Sequence, residues 1–208
     1  MTMVVRLLNN WQKGLMRKKK MQKRIFIVNG MARAGKDTFA EFLKKMVPGV
    51  VKISSVDGIK EIASYLGWTG EKTEKDRKFL SDLKCLLSEY SDAPFRYIMN
   101  TVVAFHRDER ISDIISRKRT PNSILLIDIR EPAEIERAKI AFNASTIFIE
   151  NNRVEQVTSN MADAGVYDYE YDITIRNNGT LEEFEEHIKE FVRVELGVEP
   201  VKVDKAVV

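Results

Sequence analysis

The sequence predicts a three-layer α/β fold in which helices cover both faces of a parallel five-stranded sheet. Short apolar runs alternate along the chain with longer amphipathic stretches, the order in which parallel strands and crossover helices occur. The run 123–128, Ser-Ile-Leu-Leu-Ile-Asp, is apolar on both faces, as in a buried central strand. A glycine-bearing stretch, 30–38, separates the first apolar run from the first helical pattern.

The first half of the chain predicts two strands and a long helical region. Residues 24–29 are apolar and β-branched, and 50–54 form a second such run. Between them, 37–46 has helical spacing and ends before Pro48-Gly49. Residues 57–118 predict almost continuous helix. Its three apolar faces are Ile59, Ile62, Ala63 and Leu66, then Phe79, Leu80, Leu83, Leu86 and Leu87, then Ile98, Met99, Val102 and Val103.

The second half predicts three strands and two helices. The strand 123–128 is followed by a helix over 132–140. Residues 145–150 predict a strand, and the polar, aperiodic 151–168 predict a surface loop. The remaining elements are an alternating strand over 171–176 and an amphipathic helix over 180–194, which opens with the capping box Thr180-Leu-Glu-Glu183.

Composition indicates one globular domain in a reducing compartment. The chain has 208 residues, 44% hydrophobic and 31% charged, and no apolar run approaches the roughly 20 residues of a membrane span. The single cysteine, Cys85, excludes an intramolecular disulfide and predicts a cytoplasmic protein. The two histidines lie far from it in sequence, so the spacing predicts no zinc site.

The positive net charge comes from the N-terminus. Residues 1–24 hold eight cations and no acid, so the net charge of +3 becomes −5 for the rest of the chain. Residues 1–23 therefore form a basic N-terminal extension to a domain over 24–196, with a flexible tail over 197–208. The extension is a basic arm that contacts membrane or nucleic acid, an extra helix packed on the body, or a dispensable upstream segment. We prefer the dispensable segment, because runs of charged residues are usually solvated.

Residues 30–36, Gly-Met-Ala-Arg-Ala-Gly-Lys, fit the phosphate-loop pattern G-x-x-x-x-G-K between a strand and a helix. Gly30 and Gly35 let the backbone turn and approach phosphate oxygens, and the following helix N-terminus favours anions. Lys36 reaches the β- and γ-phosphates, which predicts ATP as a ligand. The predicted nucleotide-binding residues of this loop are Gly30, Ala32, Arg33, Ala34, Gly35, Lys36, Asp37 and Thr38.

Two residues at the end of the loop have particular chemistry. Asp37 stands where Ser or Thr is commonest; its carboxylate either faces Mg²⁺ or another cation, or is a first-turn acid that favours the helix dipole, the role we prefer. Thr38 offers a hydroxyl to the phosphates or to a metal-bound water. Asp128 ends an apolar strand, where an acid holds Mg²⁺ through water, so Thr38 and Asp128 are the candidate metal residues.

Polar residues follow the other strands, and the carboxyl ends of parallel strands line a common crevice. Arg130 is placed to clamp a phosphate or to pair with Glu131 or Glu134. Arg153, in the polar loop, either stabilises transition-state charge or lies on the surface. The loop after the last strand, Asn177-Asn178-Gly179-Thr180, lies beside the adenine or is a plain turn and helix cap.

A second group of residues is placed to meet the phosphoryl acceptor. Ser55, Asp57 and Lys60 follow the second strand. Arg77 and Lys84 lie seven residues apart and share a helix face, where they either hold an acceptor phosphate or belong to a solvated surface, the preferred interpretation.

These segments resemble a known family. The loop 30–38 resembles the G-x-x-x-x-G-K-D-T loop of phage-type deoxynucleoside monophosphate kinases, is similar to that of phosphomevalonate kinases, and aligns with the loop of adenylate kinases. Residues 55–62 resemble the family's Ala-Asp-Pro-Leu-Lys-Glu segment, with Gly58 in the proline position. Residues 126–132 resemble its Asp-x-Arg-x-Pro element, and 171–183 resemble its last strand and adenine-side loop. The resemblance spans about 24–195, and only the loop is highly specific.

The resemblance implies the fold of nucleoside monophosphate kinases, with 57–120 as the acceptor-binding region and 151–168 as a short lid. It implies roles for Lys36 and Asp128 at the phosphates and Mg²⁺, for Asp57 and Lys60 toward the acceptor, and for Arg130 in charge stabilisation. The chain departs from the family in offering one lid arginine, Arg153.

The sequence therefore predicts an ATP-dependent kinase that converts a (deoxy)nucleoside monophosphate to the diphosphate. Alternatives are a kinase for another acceptor, such as a modified base in DNA or a small phosphorylated metabolite, and a nucleotide-binding regulator that transfers no phosphate. Nucleic acid is not a favoured partner, because the body of the protein is mildly acidic. The oligomeric state stays open.

Overall fold

The computed structural model of the protein describes residues 23–71, 73–107, 123–154 and 165–201. Its strands are β1 (Arg24–Asn29), β2 (Val50–Ser54), β3 (Ile124–Asp128), β4 (Ser145–Glu150) and β5 (Ile173–Arg176). Its helices are α1 (Lys36–Met46), α2 (Asp57–Tyr65), α3 (Glu74–Ser91), α4 (Ala93–His106), α5 (Pro132–Phe142) and α6 (Leu181–Val194).

The five strands form one parallel sheet in the order β2-β3-β1-β4-β5. The central strand β1 pairs with β3 on one side and with β4 on the other. All carboxyl ends of the strands therefore meet at one edge of the sheet, where the loop 30–35 begins. This parallel five-stranded sheet with helices on both faces confirms the predicted three-layer α/β fold.

Alternation along β1 divides the core between the two faces of the sheet. Phe26 and Val28 point to one side, where they pack with residues of α1 and α6. Ile25 and Ile27 point to the other, where α4 and α5 supply the partners. The side chains of β1 after Arg24 are all buried, as expected for a central strand covered on both faces.

The helix ends follow capping chemistry. The predicted capping box of α6 is present: the Thr180 hydroxyl accepts from Glu183 N at 3.2 Å, and the Glu183 carboxylate accepts from Thr180 N at 2.7 Å. A second box, Thr73 with Asp76, opens α3. The long helical region predicted over 57–118 is three helices as far as Arg107, and its last part lies outside the described residues. No described helix has the length and apolarity to cross a membrane.

The last strand is shorter than the alternation in sequence predicts. β5 starts at Ile173, because the Asp172 side chain takes the place of a ladder bond: its carboxylate accepts from the backbone N and the hydroxyl of Thr146, at 2.8 and 2.9 Å. Lys139 pairs with the same carboxylate at 2.7 Å. The pattern in sequence does not reveal which residues use side chains at a sheet edge.

Both ends of the described chain contact the domain. Lys23, assigned to the extension by sequence, donates to the carbonyl oxygens of Phe105 and His106 at 2.6 and 3.0 Å. Val198 packs against the core on the α1 and α6 face, and the Val201 N–H donates to the Met46 carbonyl at 3.0 Å. Residues 1–22 and 202–208 lie outside the described residues.

Candidate functional site

The loop after β1 has the backbone conformation that its glycines allow. Gly30 and Gly35 have φ values of +149° and +106°, in the range that favours glycine, and Arg33 has φ +65°. A Cβ at Gly30 would lie 2.6 Å from the Ile149 carbonyl oxygen, so the loop crosses closely over β4. The backbone thus turns sharply at the carboxyl edge of the sheet and enters α1.

The Lys36 side chain lies inside this loop and is hydrogen-bonded to its backbone. Its side chain is 8% exposed, and its ammonium donates to the carbonyl oxygens of Gly30 and Met31 at 2.6 and 3.0 Å. Gly35 is the N-cap of α1 and supplies no side-chain cap. The first N–H groups of a helix have no intrahelical acceptors, so this end of α1 favours an anion.

The other predicted residues of the loop lie around that helix end. Ala34 is buried and its N–H donates to the Met31 carbonyl at 3.1 Å, while Ala32 and Thr38 are half-buried. Asp37 is exposed, forms an ion pair with Lys52 of β2, and lies in the first turn of α1. Asp37 thus faces a cation and also lies in the first turn, so its placement is compatible with both predicted roles.

The loop after β5 packs against the phosphate loop. The Asn177 amide donates to the Ala34 carbonyl at 2.8 Å, and a Cβ on Gly35 would lie 2.5 Å from Asn177 Nδ2. Asn178 accepts from Asn152 N at 2.7 Å, which joins the loops after β4 and β5. Asn177 belongs to the loop predicted beside the adenine, but no spacing signal predicts its contact with a residue 143 positions away.

Arg153 and Gly179 belong to the same corner. Arg153 is exposed, and its guanidinium donates to the Asn177 carbonyl at 3.1 Å. Gly179 lies against the Glu183 carboxylate, where an added Cβ would clash with Glu183 Oε2. The described residues of the predicted lid are 151–154 and 165–168, and the remainder of that segment lies outside the described residues.

The tip of β3 lies beside the start of the loop. Asp128 is half-exposed and aligns with Val28 on β1 and with Ser54 on β2. Arg130 is half-buried two residues further on. The structure thus places both at the carboxyl edge of the sheet, one strand away from Gly30.

The turn after β2 lies on the other side of the β3 tip from the loop 30–35. Ser55 is buried and its N–H donates to the Asp128 carbonyl at 3.1 Å. The Asp57 carboxylate accepts from Ser54 N at 2.7 Å and pairs with Lys60 at 3.0 Å. Three predicted acceptor residues, Ser55, Asp57 and Lys60, therefore lie next to the tip of β3.

Lys84 is largely buried, whereas the preferred prediction placed it on a solvated helix face. Its side chain is 15% exposed and pairs with Glu131 at 2.7 Å and with Glu134 at 3.2 Å. Burial lowers the pKa of Lys84, but the two glutamates outweigh it and leave the pKa raised. α3 thus folds onto the start of α5, while Arg77 on the same helix is exposed. Spacing identified a shared face but not the element that covers it.

Two open grooves lie away from this edge. One, of about 530 Å³, runs between β5 and α6 and is lined by Ile173, Arg176, His187 and Phe191 among others. The other, of about 470 Å³, lies between α5 and the residues before β5, including Lys139, Tyr169 and Asp172. Neither is lined by residues of the loop 30–38, so the chemistry of the loop, rather than concavity, identifies the candidate site.

Comparison with known proteins gives likeness at the level of fold. No protein-family model matches the chain, and no curated protein matches it significantly. Among solved structures, TT1252 from Thermus thermophilus has 15% identity and a TM-score of 0.48, with 84% of this chain and 98% of that chain covered. Dephospho-CoA kinase from Campylobacter jejuni has 16% identity and a TM-score of 0.43, with 82% and 96% covered.

The tunicamycin resistance protein of Deinococcus radiodurans has 12% identity and a TM-score of 0.48, with 88% of this chain and 100% of that chain covered. At these identities and TM-scores the likeness identifies neither a family nor a substrate. The chain itself is a parallel-sheet domain, and a loop that fits the pattern G-x-x-x-x-G-K lies at the carboxyl end of its central strand.

Proposed function

We propose that this chain is an ATP-dependent kinase that transfers a phosphoryl group to a (deoxy)nucleoside monophosphate. The observation that carries the proposal is the loop 30–35 with Lys36 buried inside it. A loop of this kind, between a strand end and a helix N-terminus, is suited to the phosphates of a nucleotide. At the same edge, Ser55, Lys60 and Arg130 would bind an anionic acceptor, while Asp57 and Lys84 hold the neighbouring segments through their ion pairs.

Lys36 has the central electrostatic role in this proposal. Its ammonium now contacts two loop carbonyls, and with ATP bound it exchanges these for the β- and γ-oxygens. Its burial strengthens the interaction, because charges attract more strongly away from bulk water. Arg130, at the tip of β3, neutralises charge on the transferring or accepting phosphate.

The acceptor phosphate is itself the nucleophile, so no strong base is required. Ser55 and Lys60, after β2, orient the acceptor, and Asp57 braces this turn through Ser54 N and Lys60. Catalysis then comes from alignment of the attacking oxygen with the γ-phosphorus and from charge neutralisation.

The residues at the tip of β3 fit a magnesium ion that is held chiefly by phosphates and water. Asp128 is a half-exposed carboxylate in register with Val28, two residues before Gly30, and Thr38 lies in the first turn of α1. Within the described ranges, no three His, Cys, Asp or Glu side chains cluster to hold a metal by themselves. Mg²⁺ in kinases needs only one or two carboxylates, and it would neutralise the β- and γ-oxygens.

Turnover with a panel of acceptors tests the proposal. ADP formation is measured with ATP, Mg²⁺ and each common ribo- and deoxyribonucleoside monophosphate, for the wild type and for Lys36→Ala. We expect one monophosphate to support turnover, and Lys36→Ala to lower it by about a hundred-fold or more. Lys44→Ala is the matched control: this exposed lysine lies at the far end of α1 and pairs with Glu41 at 2.8 Å.

ATP binding without turnover on any monophosphate would contradict the proposed acceptor. Turnover that is equal in Lys36→Ala and Lys44→Ala would contradict the proposed role of the loop. Because Lys44→Ala preserves the loop, it separates a specific loss at Lys36 from a general effect of removing a cation from α1.

A nucleotide-binding regulator is the second candidate. Arg153 is the single cation between Ile140 and Arg176, and its guanidinium is engaged by the Asn177 carbonyl. A kinase with one cation in this segment neutralises less negative charge in the transition state than a kinase with several cations there. This candidate predicts Lys36-dependent nucleotide binding and no phosphoryl transfer, so the same panel distinguishes the two.

A further inference from the structure

Asn29, the last residue of the central strand, is a polar side chain in an otherwise apolar position. It is fully buried, as are Phe26 and Ile27 before it on β1. A buried amide is costly unless its oxygen and its N–H groups find partners. The partners of Asn29 therefore indicate what the side chain contributes at this position.

Its amide joins the phosphate loop to two other segments. Oδ1 accepts from the N–H of Gly30 at 2.8 Å, at the first residue of the loop. Nδ2 donates to the carbonyl of Arg130 at 3.2 Å and to the hydroxyl of Tyr171 at 2.7 Å. One acceptor and two donors are used, and an asparagine side chain provides all three.

Tyr171 carries the connection further. Its hydroxyl donates to the carbonyl of Val166 at 3.0 Å, and its ring stacks on Phe148 of β4 at 5.0 Å between centroids. Val166 is fully buried. A continuous series of hydrogen bonds thus runs from Gly30 through Asn29 and Tyr171 to Val166. It joins segments that are far apart in sequence, since Asn29 and Tyr171 are separated by 142 residues.

The segment 165–171 also lies against the start of α5. A Cβ at Gly165 would come 3.2 Å from Pro132 Cγ, so the backbone there packs closely on the start of α5. Pro132 follows Arg130 by two residues. One end of the segment therefore contacts the start of α5 and the other end contacts Asn29, and both of these lie next to the candidate site.

We propose that Asn29 is a positioning residue that fixes the phosphate loop relative to Arg130 and to the segment 165–171. Its amide sets the direction of the Gly30 N–H and the place of the Arg130 backbone at the same time. Tyr171 transmits this alignment to Val166. The catalytic part of the proposal rests on the proposed kinase function, but the alignment itself does not.

Hydrogen exchange in the nucleotide-free protein tests the alignment without activity. Tyr171→Phe removes the hydroxyl and keeps the ring on Phe148. We expect amide exchange to accelerate about five-fold in residues 165–168, and also in the loop 30–35, to which Tyr171 is linked through the side chain of Asn29. The control is Tyr169→Phe, whose hydroxyl contacts Glu136 at 2.7 Å, and it should leave exchange in the loop unchanged.

A double-mutant cycle on turnover tests the catalytic consequence. We expect Tyr171→Phe to lower kcat about ten-fold with KM for ATP changed less than about two-fold, because alignment rather than affinity is lost. If Asn29 acts through Tyr171, Asn29→Leu combined with Tyr171→Phe should be no slower than Asn29→Leu alone. A purely structural role would lower the melting temperature of Tyr171→Phe and leave its kcat unchanged.

The proposal is overturned if Tyr171→Phe leaves exchange in the loop 30–35 at the wild-type rate, or if the effects of the two substitutions on kcat simply multiply. Failure of the proposed kinase function looks different. The wild type then shows no Lys36-dependent turnover, while the exchange experiment still reports whether Asn29 and Tyr171 align the loop.

Discussion

Single residues determine whether the phosphate loop has room to form. Gly35 combines a φ of +106° with a neighbour, Asn177 Nδ2, that would lie 2.5 Å from an added Cβ. Either feature alone disfavours any other residue, since L side chains are strained in this region of φ and the amide is held by the Ala34 carbonyl. Gly35 is thus restricted by backbone and by packing together.

Gly35→Ala should therefore cost more than a glycine substitution with backbone strain alone. The matched variant is Gly67→Ala, at φ +95°, where an added Cβ meets nothing within 4 Å. We expect Gly67→Ala to lower the free energy of unfolding by about 1–2 kcal/mol. Gly35→Ala should lower it further and weaken binding of a non-hydrolysable ATP analogue, measured by urea denaturation and by equilibrium titration. Equal stability and equal affinity in the two variants would contradict the steric argument.

The sequence predicts the residues of the loop but not those that hold it. Gly30, Gly35 and Lys36 are recognisable because their spacing is local and their chemistry repeats in phosphate loops. Asn29 and Asn177 act across 142 and 143 residues, and nothing in the local pattern marks either side chain as hydrogen-bonded to a distant segment. Contacts of this kind depend on strand order, which a single sequence does not specify.

Among the elements, α3 and α5 are joined by charge. Lys84 of α3 pairs with Glu131 and Glu134 at the start of α5. Burial raises the pKa of Glu131, but the hydrogen bond and charge of Lys84 outweigh it, and the pKa lies below its usual value. Burial, with the adjacent Glu131 charge, raises the pKa of Glu134. The two carboxylates therefore respond to acid at different pH.

Lys84→Met tests this junction between helices. It keeps a long side chain but leaves Glu131 and Glu134 without their cation, so we expect the free energy of unfolding at pH 7 to fall by about 1–3 kcal/mol. Because the pKa of Glu131 is depressed in the folded state, its part of the stabilisation is present above its ordinary pKa of about 4.3 and disappears as the pH falls below it. The wild type and Lys84→Met should then converge.

Urea denaturation across this pH range measures the effect. The control is Lys78→Met on the same helix, whose exposed pair with Asp82 at 2.9 Å should contribute less than about 1 kcal/mol. A loss in Lys84→Met that stays constant down to pH 3, or that matches the loss in Lys78→Met, would contradict the assignment.

The bounds of an element are predicted well where buried apolar residues recur at regular spacing. They are predicted less well where side-chain hydrogen bonds replace the backbone hydrogen bonds of the sheet. β1, β2 and β4 agree with their predicted bounds, because both ends of each run are marked by polar or glycine residues. β5 is two residues shorter, because Asp172 bonds to Thr146. Lys84 was expected in solvent, because periodicity identifies a helix face but not whether another element covers it.

In the whole molecule, the carboxyl edge of the sheet lies between two helical layers. α1 and α6 pack on one face of the sheet, and α4 and α5 pack on the other. The loop 30–35 leads from the sheet into the first layer, while Arg130 leads into the second through α5. A ligand that contacts both bridges the two layers and should stabilise the domain as a unit.

Thermal unfolding tests this expectation. With a magnesium complex of a non-hydrolysable ATP analogue at one hundred times its Kd, we expect a gain of about 2.7 kcal/mol, and a rise in Tm of about 5–10 °C. Lys36→Ala should show little or no rise at the same concentration, while Lys44→Ala should respond as the wild type does. Equal shifts in both variants would show that the analogue binds elsewhere.

The only thiol in the sequence lies next to Lys84. Cys85 is exposed on α3, in the turn of the helix that reaches α5. A fluorophore attached to this cysteine would need no prior removal of other thiols and no engineered attachment point. The unmodified sequence thus provides an attachment point for a spectroscopic reporter on α3, with which the response of this helix to added nucleotide could be followed in real time.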